Sequence, residues 1–134
     1  MALKKGFKQL LAEAEGKAPA ISAEDARKSL GDANTVFVDI RDVRELEREG
    51  MIPGAFHAPR GMLEFWVDPE SPYYKPVFTE DKTYILYCQS DWRGVLAAAT
   101  LKEMGLPRVF HLAGGFGGWK KTGLPTGERP KKEK

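Results

Sequence analysis

Three short apolar runs constrain this chain more than any other feature: Thr35-Val36-Phe37-Val38-Asp39-Ile40, Thr83-Tyr84-Ile85-Leu86-Tyr87 and Arg108-Val109-Phe110-His111-Leu112. Each is too short for a helix and rich in β-branched or aromatic residues, so each reads as a buried strand. Between them lie stretches of helical character. Arg41 to Glu49 is heavily charged and stops at Gly50, and Trp92 to Met104 carries Val95, Leu96, Ala99 and Leu101 before Gly105. Strands separated by helices of about ten residues are joined by crossovers rather than hairpins, which indicates β-α-β units and a parallel sheet. The fold class is therefore α/β.

The flanks divide the chain into three. In residues 3–15, Leu3, Phe7, Leu10, Leu11 and Ala14 fall at helical spacing, so 1–19 reads as an N-terminal amphipathic helix and linker that docks on its own domain. The main domain spans 20–125, and 126–134 reads as a basic flexible tail, with fraying expected from Gly123. Within the domain, Ser22 resembles an N-cap for a helix running through Leu30. Ile52 to Ala55 reads as a turn, and the segment 61–78 as a short helix followed by an ordered loop.

Composition narrows the function classes. The net charge is +2, but residues 1–20 carry four lysines against two glutamates, and 128–134 carry Arg129 and three lysines against two glutamates. The body between them is thus net −2, the wrong sign for a nucleic-acid surface. No run approaches the roughly 20 apolar residues of a membrane span, and the N-terminus lacks a leader pattern. One cysteine admits no internal disulfide, and with two distant histidines it is a poor zinc set. The expectations are a cytoplasmic protein with no metal, no cofactor, no nucleic-acid partner and no membrane.

In an open α/β sheet, ligands gather beyond the carboxyl ends of the strands. Cys88, the sole cysteine, stands there at the end of Thr83–Tyr87, followed by Gln89, Ser90, Asp91, Trp92 and Arg93 and then a helix. A tight loop turns its backbone N–H groups inward, and the helix N-terminus and Arg93 add positive charge. Such a place favours a thiolate nucleophile and accepts an anion. Asp39 and Glu45 are read as carboxylates that orient Arg93 or Arg41 rather than as acid–base catalysts. Arg60 is a candidate for the pocket mouth. Trp92 is either an exposed substrate contact or a packing residue against Phe65 or Trp66. His57, His111 and Trp119 are read as structural.

Three segments resemble the single-domain rhodaneses, a family of sulfurtransferases. Val38-Asp39-Ile40-Arg41 with Glu45 and Gly50 to Ala55 is similar to the family's entry motif. Cys88 to Arg93 is similar to its six-residue active-site loop, and Leu112 to Trp119 to its exit motif. The resemblance covers roughly residues 20–125. It implies a three-layer sandwich, a five-stranded parallel sheet with helices on both faces. It also implies Cys88 as nucleophile, taking sulfur from a small donor of the thiosulfate or mercaptopyruvate type as a persulfide cradled by the amides of 89–93. The acceptor would be cyanide, a small thiol or a protein thiol. Asp91 stands where the family usually has glycine, which places a negative charge at an anion site and argues for weak thiosulfate activity. Gly94 replaces a frequent serine, and Met51 a usual histidine. Two other readings stay open: a persulfide carrier or interaction module on the same fold, and a cysteine phosphatase or arsenate reductase, whose loop would be longer than Cys88-x4-Arg93.

Overall fold

The computed structural model describes residues 2–79 and 81–130. Its elements alternate as expected: α1 (Phe7–Glu15), β1 (Ala20–Ile21), α2 (Ala23–Arg27), β2 (Thr35–Asp39), α3 (Val43–Glu49) and β3 (Phe56–His57). A 3-10 turn at Arg60–Met62 leads into α4 (Leu63–Val67), followed by β4 (Thr83–Tyr87), α5 (Trp92–Met104), β5 (Val109–Leu112) and α6 (Gly115–Lys121). The five strands form one sheet in the order β1-β5-β4-β2-β3, and every pairing is parallel. β4 is central, so Cys88, the next residue, emerges in the middle of the sheet's carboxyl edge.

Strand alternation divides the core in two. Tyr84, Leu86 and Cys88 face one apolar cluster, which includes Leu63 and Val67 of α4 and Ala97, Ala98 and Leu101 of α5. Ile85 and Tyr87 face the other, with Ala26 of α2 and Phe116 and Trp119 of α6. These are the two outer layers of the expected sandwich. α1 lays Leu11 and Ala14 against Val95, Leu96 and Ala99 of α5, so the N-terminal helix docks on its own domain. No described helix is long and apolar enough to cross a membrane.

Several boundaries differ from the sequence reading. α1 begins at Phe7, leaving Leu3 exposed ahead of it. Ser22 does cap α2, its side chain accepting from the Asp25 N–H, but the helix ends at Arg27 and the chain reaches Gly31 in turns. β1 and β3 are two residues each, too short to produce a periodic signal. The glycine-rich stretch after β5 is helical because Phe116 and Trp119, three apart, bury one face.

Residues 126–130, expected as the start of a flexible tail, return to the body. Met51 and Gly127 exchange two backbone hydrogen bonds of 2.8 Å, and Arg129 lies 3.8 Å from Glu47. The Trp119 indole donates to the Pro125 carbonyl at 2.7 Å. Residues 131–134 lie outside the described part.

Candidate active site

The loop from Cys88 to Arg93 is built by the transition from β4 to α5. Cys88 is 1% exposed, and its Sγ accepts a hydrogen bond from the Asp91 backbone N–H at 3.1 Å. That geometry depends on Asp91 having φ 98°, the one left-handed non-glycine residue among those described. Asp tolerates this region better than most side chains, which is how the chain manages without glycine here. Asp91 is also the N-cap position of α5, yet its side chain makes no capping bond. The first amides of a 13-residue helix therefore stay free of an internal acceptor beside the sulfur.

Arg93 is held by Glu45 in a two-pronged ion pair, both N–O distances 3.0 Å. The pair raises the Arg93 pKa, with Cys88 contributing to the same effect, and holds the Glu45 carboxyl below its ordinary value. Glu45 is placed by a capping box at the start of α3, where its side chain also accepts from the Asp42 N–H. Of the two carboxylates expected to orient arginines, Glu45 thus serves Arg93 and Asp39 serves Arg41.

Arg41 is fully buried. Its guanidinium donates to both oxygens of Asp39 (3.0 and 2.7 Å), to the Gly50 carbonyl at 2.7 Å and to Gln89 Oε1 at 3.1 Å. It lies over the Phe116 ring, 4.3 Å from the centroid. Burial works against its charge, but the Asp39 contacts outweigh it and its pKa is raised. Arg41 therefore ties the first loop residue, Gln89, to β2 and to the end of α3.

The other candidates fall less close to the sulfur. Arg60 does not reach the loop; it pairs with Glu64 at 3.2 Å and lines a groove with Leu10, Ala14, Leu96 and Glu103. Its position just after Ala58-Pro59 made it a candidate for the mouth, but the i,i+4 pair draws its side chain toward Glu64 of α4. Trp92 is 61% exposed and packs on Phe7 of α1, ring centroids 5.0 Å apart, rather than on Phe65 or Trp66. Ser90 is exposed. His57 donates to the Arg41 carbonyl at the sheet edge, and Trp119 is a core residue.

Two contributors were missed. The Phe116 and Gly117 N–H groups donate to the carbonyls of Cys88 and Gln89 at 2.8 and 3.0 Å, so the start of α6 holds the back of the loop. A Cβ on Gly115, at φ +60°, would stand 2.6 Å from the Cys88 carbonyl oxygen. Gly115→Ala is accordingly expected to destabilise the protein by about 1–3 kcal/mol through overpacking, read as a shifted urea midpoint. The second is His111, whose Nδ1 lies 2.8 Å from Asp91 Oδ2. β5 pairs His111 with Leu86, on the face that Cys88 shares, so strand alternation could have revealed it. This pairing shows where the Asp91 side chain points: the carboxylate is bonded to a buried histidine.

A family model described as Rhodanese-like domain matches residues 22–122. The chain belongs to this family. α1 lies outside the matched span, and the whole loop lies inside it. A sulfurtransferase from Allochromatium vinosum is 33% identical over 106 residues, covering 78% of this chain and 91% of that protein. The human thiosulfate:glutathione sulfurtransferase is 27% identical over 108 residues, covering 76% and 93%. A solved structure from Rhodopseudomonas palustris, described as a protein of unknown function and possible tyrosine phosphatase, is 46% identical. It superposes with a TM-score of 0.91 over 95% of this chain and 98% of that one. For a rhodanese-like domain, the arrangement supplies a thiol at a central strand end, an inward N–H on its sulfur, uncapped helix amides and a clamped arginine.

Proposed function

We propose that the protein is a sulfurtransferase working through a persulfide on Cys88. The observation that carries this reading is the Asp91 N–H donating to Cys88 Sγ at the uncapped start of α5. A sulfur anion placed there gains hydrogen bonds and the helix dipole without displacing an internal partner. With thiosulfate as donor, the Cys88 thiolate attacks the outer sulfur. An S–S bond forms to Cys88, the donor's S–S bond breaks, and sulfite leaves with the electron pair. An acceptor thiolate or cyanide then attacks the terminal sulfur and restores the Cys88 thiolate. No external oxidant or reductant enters, and the two half-reactions imply ping-pong kinetics. Mercaptopyruvate-type donors and protein thiol acceptors belong to the same proposal. So does a cytoplasmic setting with no nucleic-acid or membrane partner, where the thiol stays reduced.

The experiment is incubation with thiosulfate, intact mass for the gain of one sulfur, then addition of cyanide or glutathione. Loading followed by turnover supports the enzyme. Loading without turnover marks a carrier, and no loading defeats the reading. Hydrolysis of phosphate esters inhibited by vanadate would favour a phosphatase. Against that alternative, Asp39 and Glu45 have both carboxylate oxygens engaged, by Arg41 and by Arg93 with the Asp42 N–H, so neither is free to protonate a leaving group.

Arg93→Ala is expected to slow sulfur loading at least tenfold, or about 1.4 kcal/mol in the barrier. Unchanged single-turnover rates would show that the backbone amides suffice. Because Glu45 is held below its ordinary value, the clamp is intact above the usual carboxylate range. It loosens as pH falls through that lowered value, and loading should fall with it.

A further inference from the structure

Asp91 sets a problem for an anion site: a carboxylate on the very residue whose N–H touches the sulfur. Left to itself, an Asp at an N-cap turns its side chain onto the first helix amides. Here that would put an internal anion where the donor or the persulfide must sit. The side chain does something else. Oδ2 lies 2.8 Å from His111 Nδ1, and Oδ1 is buried with no hydrogen-bond partner. The Asp91 side chain is 14% exposed and that of His111 4%. The space it occupies exists because residue 94 has no side chain. A Cβ on Gly94 would stand 2.8 Å from Asp91 Oδ1.

We propose that Asp91, His111 and Gly94 form a specificity latch. His111 draws the Asp91 carboxylate behind the loop, Gly94 gives it room, and the amides at the start of α5 are left open to anionic ligands while the Asp91 N–H stays on Cys88 Sγ. His111 and Asp91 are thus positioning residues, acting through the loop backbone. Burial pushes the Asp91 carboxyl up from its ordinary value; His111 opposes this and Glu15 adds to it. The geometry keeps the carboxylate off the first amides of α5: one oxygen is taken by a buried ring nitrogen and the other is enclosed.

The inference gives the sulfurtransferase reading its charge selectivity, and its test does not depend on that reading. Cys88 is the sole cysteine, so its alkylation by anionic iodoacetate and by neutral iodoacetamide can be compared without other substitutions. The readout is the ratio of the two rates. His111→Leu removes the latch partner, and Gly94→Ala displaces the carboxylate while favouring the helix. Both are expected to lower the ratio about three- to tenfold through the freed charge at partial screening. The same variants should raise the thiosulfate KM more than they lower kcat. His111→Asn, whose amide nitrogen can stand in for Nδ1, is expected to keep the wild-type ratio. Adding Asp91→Gly to either disrupting variant should restore it. An unchanged ratio in both His111→Leu and Gly94→Ala, or a fall that Asp91→Gly does not repair, would overturn the latch. Failure of the wild type to accept sulfur from thiosulfate would instead count against sulfur transfer, with the alkylation ratios still deciding the latch.

Discussion

Cys88→Ser is expected to abolish both sulfur loading and turnover. The oxygen of serine has a far higher pKa than a thiol and forms no persulfide, and the chain holds no second cysteine to substitute. The replacement is close in size and sits where the Asp91 N–H can still donate, so the fold should survive. Circular dichroism and a melting curve near wild type, with no sulfur gain by intact mass after thiosulfate, are the paired results expected. Transfer above background in the variant would remove Cys88 from the mechanism and leave the loop as a binding site for something else. Rhodanese-like family membership would stand in either case, because it rests on the matched sequence rather than on turnover.

The largest expected effect on stability comes from Asp39→Ala. Asp39 and Arg41 are both fully buried, and Asp39 accepts the Arg41 Nε–H, a second guanidinium N–H and the Arg41 backbone N–H. Removing the carboxylate leaves a guanidinium in the core with only the Gly50 carbonyl and Gln89 Oε1 as acceptors. Breaking a buried pair on one side typically costs about 3–5 kcal/mol. That is a large fraction of the stability of a domain this size. The measurement is urea denaturation. Replacing both residues with apolar ones, Asp39→Leu with Arg41→Met, should recover much of the loss, because no charge is then stranded. It should not recover sulfur loading fully, since Gln89 would lose its tie to β2. A loss below about 1 kcal/mol for Asp39→Ala would mean that water reaches the guanidinium.

Much of this protein can be read from local pattern. The runs at 35–40, 83–87 and 108–112 declare strands because a buried parallel strand must be apolar on both faces, and that property is written residue by residue. Cys88 and Arg93 declare a site because the end of a central strand, a tight loop and a helix start are all defined by neighbours in the chain. The Arg93–Glu45 pair was expected to within a short segment, since the guanidinium beside the loop favours a carboxylate partner and Asp39 and Glu45 were the candidates for it. β1 and β3 were not legible individually. A two-residue strand has no period, and only its neighbours β5 and β2 make it one.

What the tertiary structure decided is where side chains point when several partners compete. Asp91 could have capped α5 or faced the anion site, as its place in the sequence suggests, but it turned inward. The outcome depends on His111, twenty residues away, brought alongside by the β4–β5 register, and on the space left at Gly94. Arg60 could have reached the mouth and instead follows Glu64. Gly115 could have been one flexible residue among four, but the Cys88 carbonyl stands where its side chain would be. By itself the sequence determined the fold class, the place of the sole cysteine at a central strand end and the bounds of the loop, because backbone propensity and hydrophobic alternation act over a few residues. The place of the Asp91 carboxylate was decided only in three dimensions, because its partner His111 is near it in space and not along the chain.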